Sequence, residues 1–284
     1  MKNSYYKDLF SSLLRKRSFW FPIIILLLLM IVGFIIDITK YDELIKINFD
    51  NQFIKPNNQF IFGTNEYGQD LFYLVFVAAF NSIKLSFIVI IANCLLGCII
   101  GLIWGSNPKI DSFMLVIKNV FDNIPMTFVY VIVISSLGND FIHMLFVVVL
   151  FGWINIACLV RNNLIITRSK DYNTMSKLLK TSKLKVAIHN YLPSLLPVIF
   201  NSIALSFPSI ISLEITLSYF GFSFSNTNVS LGTLLYNSLS TSSCFTHPYL
   251  FLIPFTIILI INMCCFYIGK TISSISNKEE NQNA

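Results

Sequence analysis

Long apolar segments alternate with short polar segments along almost the whole chain. Each apolar segment has the roughly 20 residues that a helix needs to cross the ~30 Å hydrocarbon core of a bilayer. The pattern therefore predicts an all-α, polytopic membrane protein with six transmembrane helices. The predicted spans cover residues 19–38, 85–104, 113–137, 141–160, 195–224 and 249–268.

Two of the predicted spans are broken by proline. Ile124-Pro125 interrupts the third span, and Pro197 and Pro208 interrupt the fifth. Irregular backbone inside a membrane is tolerated where it is buried in protein or lines a cavity, so the breaks point to a path through the bundle. A membrane anchor without transport is disfavoured for the same reason.

The polar segments divide the chain into regions. We predict a cytoplasmic N-terminal segment, a first span, an extracytoplasmic segment, a five-helix core that contains a long cytoplasmic loop, and a cytoplasmic tail. In that order the regions are 1–18, 19–38, 39–84, 85–270 with the loop at 161–194, and 271–284. Lys84 is expected at the outer edge of the second span, where its stem can reach the interface. Residues 225–248 contain no charged residue and are expected to be an external segment.

Composition and charge support a membrane protein and give it an orientation. Of the 284 residues, 55% are hydrophobic and 12% are charged, and the mean hydropathy is +0.70. Soluble domains carry about 25% charged residues. With the N-terminus inside, sixteen Lys and Arg lie in inner segments and three in outer ones. The positive-inside rule then places both termini in the cytoplasm, and the net charge of +6 requires no nucleic acid.

The sequence contains no signature of catalysis or of nucleotide binding. It lacks the phosphate loop GxxxxGK[ST], the zinc motif HExxH and the nucleophile motif GxSxG. The three histidines, at positions 143, 189 and 247, are too scattered to suggest a metal site. We therefore predict no catalytic residue, no metal site and no cofactor bound by this chain.

Two acidic residues lie well inside predicted spans, away from the span ends: Asp122 in the third and Glu214 in the fifth. An ionised carboxylate at the centre of a bilayer is costly, so each is expected to face the bundle interior or to be protonated. Two interpretations of Glu214 remain open, a place on a translocation path and a structural polar contact. The same interpretations apply to Asp122.

The basic loop at 161–194 contains an amphipathic pattern. It holds seven Lys and Arg against one acid, Asp171. At helical spacing its apolar side carries Met175, Leu178, Leu179, Ser182 and Val186, its basic side carries Lys177, Lys180 and Lys183, and Leu184 falls on the basic side. One interpretation is a helix lying on the inner membrane surface. The other, which we favour, is a short helix that inserts into a cleft on a cytoplasmic subunit.

Five stretches occur in a characteristic order. They are GTNEYGQDLF (63–72), DNIPMTF (122–128), LEITLSYFGFS (213–223), SLGTLL (230–235) and HPYLFLIP (247–254). Together they resemble the inner-membrane permease subunits of ABC importers for peptides and nickel, in the second, or C-type, permease group. The resemblance extends over nearly the whole chain.

Individual residues can be matched to the motifs of that family. The external motif GTDxxGRDxF matches at Gly63, Thr64, Gly68 and Asp70, with Asn65 and Gln69 in place of the usual Asp and Arg. The span motifs place Asp122, Pro125, Glu214, Ser218 and Gly221 on family positions, with the proline one place early.

The basic loop aligns with the coupling motif of these permeases, but its centre differs. Thr174, Met175 and Ser176 stand where Glu-Ala-Ala is usual, and Lys180 stands near the usual glycine. Asp171-Tyr172 and Tyr191-Leu192-Pro193 match the flanks. The expected ATPase-coupling residues are Asp171, Tyr172, Thr174, Met175, Ser176, Leu178, Leu179, Lys180, Leu184 and Pro193.

The resemblance implies a type I permease bundle with a cytoplasmic coupling helix, in the cytoplasmic membrane of a bacterium. It implies a heterodimer with a second permease subunit, two cytoplasmic ATPase subunits that bind ATP and Mg²⁺, and an extracytoplasmic solute-binding protein. The expected function is import of oligopeptides or dipeptides, and the alternative within the family is import of nickel or a metal chelate. A different class, a stand-alone secondary transporter or channel, would show repeated halves or several intramembrane charges.

Overall fold

The structure is a computed structural model, and the part of the chain that it describes is helical. The described residues are 12, 14, 16–40, 46–138, 141–169, 173, 175–176, 179, 181–182, 186, 190–222, 229–240 and 243–283. Within these ranges the only β-type pairing is an isolated bridge between Thr64 and Asp70. The prediction of an all-α fold is confirmed.

Among the described residues, five helices are long and apolar enough to cross a membrane. They are α1 (Arg17–Thr39), α2 (Leu71–Ser106), α5 (Phe141–Arg168), α6 (Leu192–Tyr219) and α9 (Tyr249–Asn283). A sixth span is formed if α3 (Pro108–Asn123) and α4 (Met126–Leu137) are taken together. Three shorter helices complete the described fold: a 3₁₀ turn at Phe49–Asn51, α7 (Leu231–Ser240) and α8 (Ser243–Thr246).

The third predicted span is bent by 88° between α3 and α4. Ile124 is extended there, with φ −98° and ψ 126°, because the ring of Pro125 disfavours a helical residue before it. Pro125 also lacks the N–H that would continue the helical hydrogen bonds. The two halves therefore point in different directions, which a hydropathy pattern does not reveal.

Several helices extend beyond the predicted bounds. Helix α2 begins at Leu71 rather than at 85, because the Asp70 side chain accepts a hydrogen bond from the Phe72 N–H at 2.9 Å and caps the helix there. Lys84, which was predicted at the outer edge of the second span, therefore lies in the interior of this helix. Helix α5 continues to Arg168 rather than 160.

The centre of the bundle is the contact between α2 and α5. Gly97, Gly101 and Gly105 recur every fourth residue on α2 and lie against α5. A Cβ at Gly101 would lie 2.6 Å from the Ala157 carbonyl oxygen and 2.8 Å from Val160 Cβ, so only glycine allows this approach. Small residues at this spacing are typical of close helix contacts in membranes.

Helix α7 was not predicted, since residues 225–248 were expected to form an external segment. Its apolar side chains Leu231, Leu234 and Leu235 are buried against the bundle. Ser230 caps its start: Ser230 Oγ accepts from the Thr233 N–H at 3.2 Å, and Thr233 Oγ1 accepts from the Ser230 N–H at 2.9 Å. This reciprocal arrangement is a capping box with threonine in the place of the usual acid.

Candidate functional site

Glu214 connects three helices inside the bundle. It lies on α6 and is only 1% exposed. Its Oε1 accepts a hydrogen bond from Ser82 Oγ of α2 at 2.9 Å, and the same Ser82 oxygen accepts from the Leu231 N–H of α7 at 3.1 Å. One serine hydroxyl thus joins a buried carboxylate to the first turn of α7. This geometry favours a structural polar contact over a place on a translocation path.

The backbone of α7 rests on α6 beside Glu214. A Cβ at Gly232 would lie 2.7 Å from Ser218 Oγ and 3.1 Å from Ile215 Cα. Ser218 is itself buried, one helical turn after Glu214. The two motif stretches that carry Glu214 and Gly232 are therefore in direct contact, and the absence of a side chain at Gly232 makes the contact possible.

Gly221 ends α6 with a specific turn. The Phe222 N–H donates to the Leu217 carbonyl at 3.0 Å and the Gly221 N–H donates to the Ser218 carbonyl at 3.0 Å, which is the Schellman pattern. Gly221 has φ +84°, and no atom lies within 4 Å of a Cβ placed there. Glycine is required at this position by backbone conformation rather than by space.

The external motif forms a compact loop that fixes the start of α2 to the start of α9. Thr64 is buried, and its Oγ1 donates to the Asn51 carbonyl at 2.5 Å and accepts from the Ile54 N–H at 2.8 Å. The Tyr249 hydroxyl of α9 lies 3.2 Å from the Ile54 carbonyl oxygen and 3.1 Å from that of Thr64, within hydrogen-bonding distance of both. Gly63 adopts φ +78° beside these contacts.

Gly68 and the residues around it complete the loop. Gly68 has φ +70°, and a Cβ there would overlap the Asn48 carbonyl oxygen. Asn65 Nδ2 donates to Gln69 Oε1 at 2.8 Å. This amide pair occupies the two positions where the resembled motif has Asp and Arg, so a neutral hydrogen bond replaces a pair of charges. Partial burial raises the pKa of the neighbouring Glu66 carboxyl.

A polar cleft opens between α2, α4, α5 and α6. Its volume is ≈ 480 Å³. Amide and hydroxyl side chains line it together with apolar ones, and no charged residue is among its lining: the polar residues are Asn93, Tyr130, Asn155, Asn201, Ser202, Ser206 and Ser209. Sequence analysis missed this cleft, although the repeat of Asn201/Ser202, Ser206 and Ser209 along one side of α6 was a usable signal. Such a lining offers hydrogen bonds without selecting for charge.

The described part of the basic loop at 161–194 presents two apolar side chains to solvent. Met175 is 61% exposed and Leu179 is 79% exposed, and the Leu179 N–H donates to the Met175 carbonyl in a helical turn. Pro193 lies in the first turn of α6. Asp171, Tyr172, Thr174, Leu178, Lys180 and Leu184 lie outside the described residues.

Two asparagines that sequence analysis did not single out hold this turn in place. Asn173 is buried, and its Nδ2 donates to the Thr167 carbonyl at 2.6 Å. Asn190 Nδ2 lies 2.9 Å from Asn173 Oδ1 and 3.2 Å from Ser176 Oγ, so it can donate to both. These contacts tie the turn to the end of α5 and leave Met175 pointing outward.

The acids near α3 are satisfied by basic residues. Asp122 pairs with Lys118 on the same helix, and its side chain is 50% exposed. Asp122 thus lies at the surface of this chain, where the neighbouring lysine neutralises it. Asp111 accepts from Arg161 Nε and Nη2 at 2.6 Å each, which fixes the start of α3 to α5.

Comparison with known proteins identifies the class of this bundle. The family model described as "Binding-protein-dependent transport system inner membrane component" matches residues 95–274. The match covers more than half of the chain, including most of the polar cleft, Glu214 and the basic loop at 161–194. The chain belongs to this family of ABC importer permeases, and the predicted type I permease fold is confirmed.

Individual relatives extend the similarity beyond that region. The oligopeptide transport system permease protein AmiD of Streptococcus pneumoniae is 33% identical over 278 residues, 96% of this chain and 90% of that protein. OppC of Lactococcus lactis subsp. lactis, an oligopeptide permease, is 22% identical over 85% of this chain and 83% of its own length. DppC of Bacillus subtilis, a dipeptide permease, is 24% identical over 84% and 75%. The chain is thus a multi-pass membrane protein of a bacterial importer family.

Proposed function

We propose that this chain is a permease subunit of an ATP-driven peptide importer and forms half of the translocation pathway. The observation that carries the proposal is the 33% identity with an oligopeptide permease over 96% of the chain. Nickel import and a stand-alone transporter, the two alternatives from the sequence, gain no support from these relatives.

The polar cleft supports peptides as the substrate class. Peptides share main-chain amides and differ in side-chain charge, so a pathway for many peptides benefits from neutral donors and acceptors. Asn93, Asn155 and Asn201 supply both through their side-chain amides. We assign the cleft as this subunit's share of the pathway.

Energy for transport comes from outside this chain in the proposed assembly. Two cytoplasmic ATPase subunits bind ATP and Mg²⁺, a second permease subunit completes the pathway, and an extracytoplasmic solute-binding protein delivers the peptide. The exposed turn that carries Met175 and Leu179 docks into an ATPase cleft, since apolar side chains at 61% and 79% exposure gain most from being covered. Both termini lie in the cytoplasm, in accordance with the positive-inside rule.

Uptake measurements test the proposal. Cells that express the chain together with the second permease, the ATPases and the binding protein should accumulate labelled oligopeptides, and cells lacking only this chain should not. Labelled nickel serves as the alternative substrate. Nickel uptake without peptide uptake, or peptide transport by this chain alone in liposomes, would contradict the proposal.

Orientation has a separate test. A cysteine at position 228, in a background without the native cysteines, should react with an impermeant reagent from outside, and a cysteine at position 180 only from inside. The opposite pattern would reverse the assigned topology and move the ATPase contact to another segment.

A further inference from the structure

Lys84 is a charged residue in the interior of a membrane-spanning helix. It lies on α2, is half-buried, and its ammonium is 4.9 Å from the centroid of the Phe80 ring. Among the residues that the structure describes, no carboxylate pairs with it. A lysine in this position needs an explanation, because intramembrane charges are rare and normally have a partner.

The register between α1 and α2 gives the depth of Lys84. The two helices run antiparallel, with the Lys40 ammonium 5.8 Å from the Tyr73 ring and the Phe34 and Phe80 rings 5.7 Å apart. In an antiparallel pair, each residue toward the start of α1 corresponds to one residue toward the end of α2. The Lys40–Tyr73 and Phe34–Phe80 contacts therefore define the same register to within one residue.

Extending that alignment places Lys84 at mid-depth. One turn beyond Phe80, it is level with Leu29 and Met30, close to the middle of α1, which runs from Arg17 to Thr39. With 23 residues, α1 is roughly 35 Å long, about the thickness of a bilayer core. Lys84 is therefore roughly 15 Å from either headgroup region, beyond the reach of its four-carbon stem.

Glu214 cannot neutralise Lys84, although the two lie at a similar depth. Glu214 is bound through Ser82, and residues two apart on a helix point to opposite sides. Asn93 of the polar cleft also lies opposite Lys84, nine residues further along the helix. The lysine therefore projects away from both the buried acid and the cleft.

The side of α2 that carries Lys84 is not covered by the described part of this chain. At helical spacing it continues with four large apolar residues that are all exposed, which with the lysine we call the Lys84 face: Lys84, Phe87, Ile88, Ile91 and Leu95. If lipid covered this face, the ammonium would be in the hydrocarbon core, which is energetically costly for an unpaired charge. An apolar surface is also a poor lining for the path of a polar peptide.

We propose that the Lys84 face is the contact surface for the second permease subunit and that an intramembrane aspartate or glutamate of that subunit pairs with Lys84. The proposal rests on the proposed function, which supplies the second subunit. Charge complementarity selects this occupant: the apolar residues of the face suit helix packing, and the lysine requires a carboxylate that the described part of its own chain does not offer.

The test uses the complete importer, purified through a tag on this chain. Lys84→Met keeps the length of the side chain and removes the charge, Lys84→Arg keeps the charge, and Lys109→Met removes a charge from the exposed start of α3 as a control. We expect Lys84→Met to lower the recovery of the second permease about tenfold, because an acid in the membrane loses its partner. Lys84→Arg and Lys109→Met should retain it.

A crosslinking experiment in a chain that retains Lys84 provides a second test in case Lys84→Met fails to reach the membrane. A photoreactive residue at Ile88 should crosslink to the second permease subunit. Crosslinks only to lipid, or to labelled peptide, would overturn the proposal, as would undiminished recovery with Lys84→Met. If the wild-type chain itself recovers no second permease, the proposed function fails and this inference fails with it. If the wild-type complex forms and Lys84→Met does not weaken it, only this inference fails.

Discussion

Ser82 offers a sharp test of the contact among α2, α6 and α7. Ser82→Ala removes the hydroxyl that donates to Glu214 Oε1 at 2.9 Å and accepts from the Leu231 N–H at 3.1 Å. A net hydrogen bond is worth about 1 kcal/mol, and a buried group left without its partner adds ~1–3 kcal/mol. We expect the opening of α7 to become easier by ~2–4 kcal/mol, or roughly 30-fold to 1,000-fold in its equilibrium constant.

Ser86 is the matched control for this change. It lies one turn further along α2 and is equally buried, but its hydroxyl has no hydrogen-bond partner among the described residues. Ser86→Ala raises the helix propensity of α2 slightly, as Ser82→Ala does, but it removes no hydrogen bond among the described residues. Hydrogen exchange of Leu231–Ser240 in the purified complex should accelerate with Ser82→Ala and not with Ser86→Ala. Equal exchange in the two variants would refute the role of the Ser82 hydroxyl.

Three further changes test other contacts. Gly101→Ala places a Cβ 2.6 Å from a carbonyl oxygen of α5 and should lower the Tm of the purified complex through ~1–3 kcal/mol of overpacking, whereas Gly269→Ala, whose nearest neighbour is at 3.3 Å, should be tolerated. Tyr249→Phe should weaken the external loop by about 1 kcal/mol, seen as faster proteolysis of that loop. Leu179→Asp should abolish co-purification of the ATPases while the chain stays in the membrane, and Lys177→Glu should weaken it only slightly. Release by the lysine change alone would favour the surface-bound interpretation of the loop.

The spans were predictable because a bilayer leaves few options. Inside hydrocarbon every backbone group must be hydrogen-bonded within its own helix, so apolar length alone identifies the helices. The ends of the helices lie in polar surroundings, where individual capping residues determine where each helix begins and ends. Asp70 starts α2 at Leu71, well before the predicted start at residue 85, and Gly221 ends α6 through a left-handed residue.

The contacts within the site were less predictable. The motifs around Glu214 and Gly232 each stood out in the sequence, but nothing in the linear order indicated that a serine on α2 would join them. Helix α7 escaped detection because its ten residues mix leucine with serine and asparagine and are too short for a span. Asn173 and Asn190 are separated by a basic segment whose charge pattern dominates the sequence, so their mutual contact was invisible.

Helix α2 carries two ionisable contacts at the same depth in the membrane, and they differ in how they are satisfied. On one side Ser82 donates a hydrogen bond to Glu214 Oε1 within this chain. On the other side, the contact of Lys84 among the described residues is with the ring of Phe80. A cation–π contact is worth about 0.5–2 kcal/mol, less than the cost of an ammonium at the membrane centre. The Glu214 contact is therefore made within this chain, whereas the proposed partner of Lys84 would come from the second permease subunit.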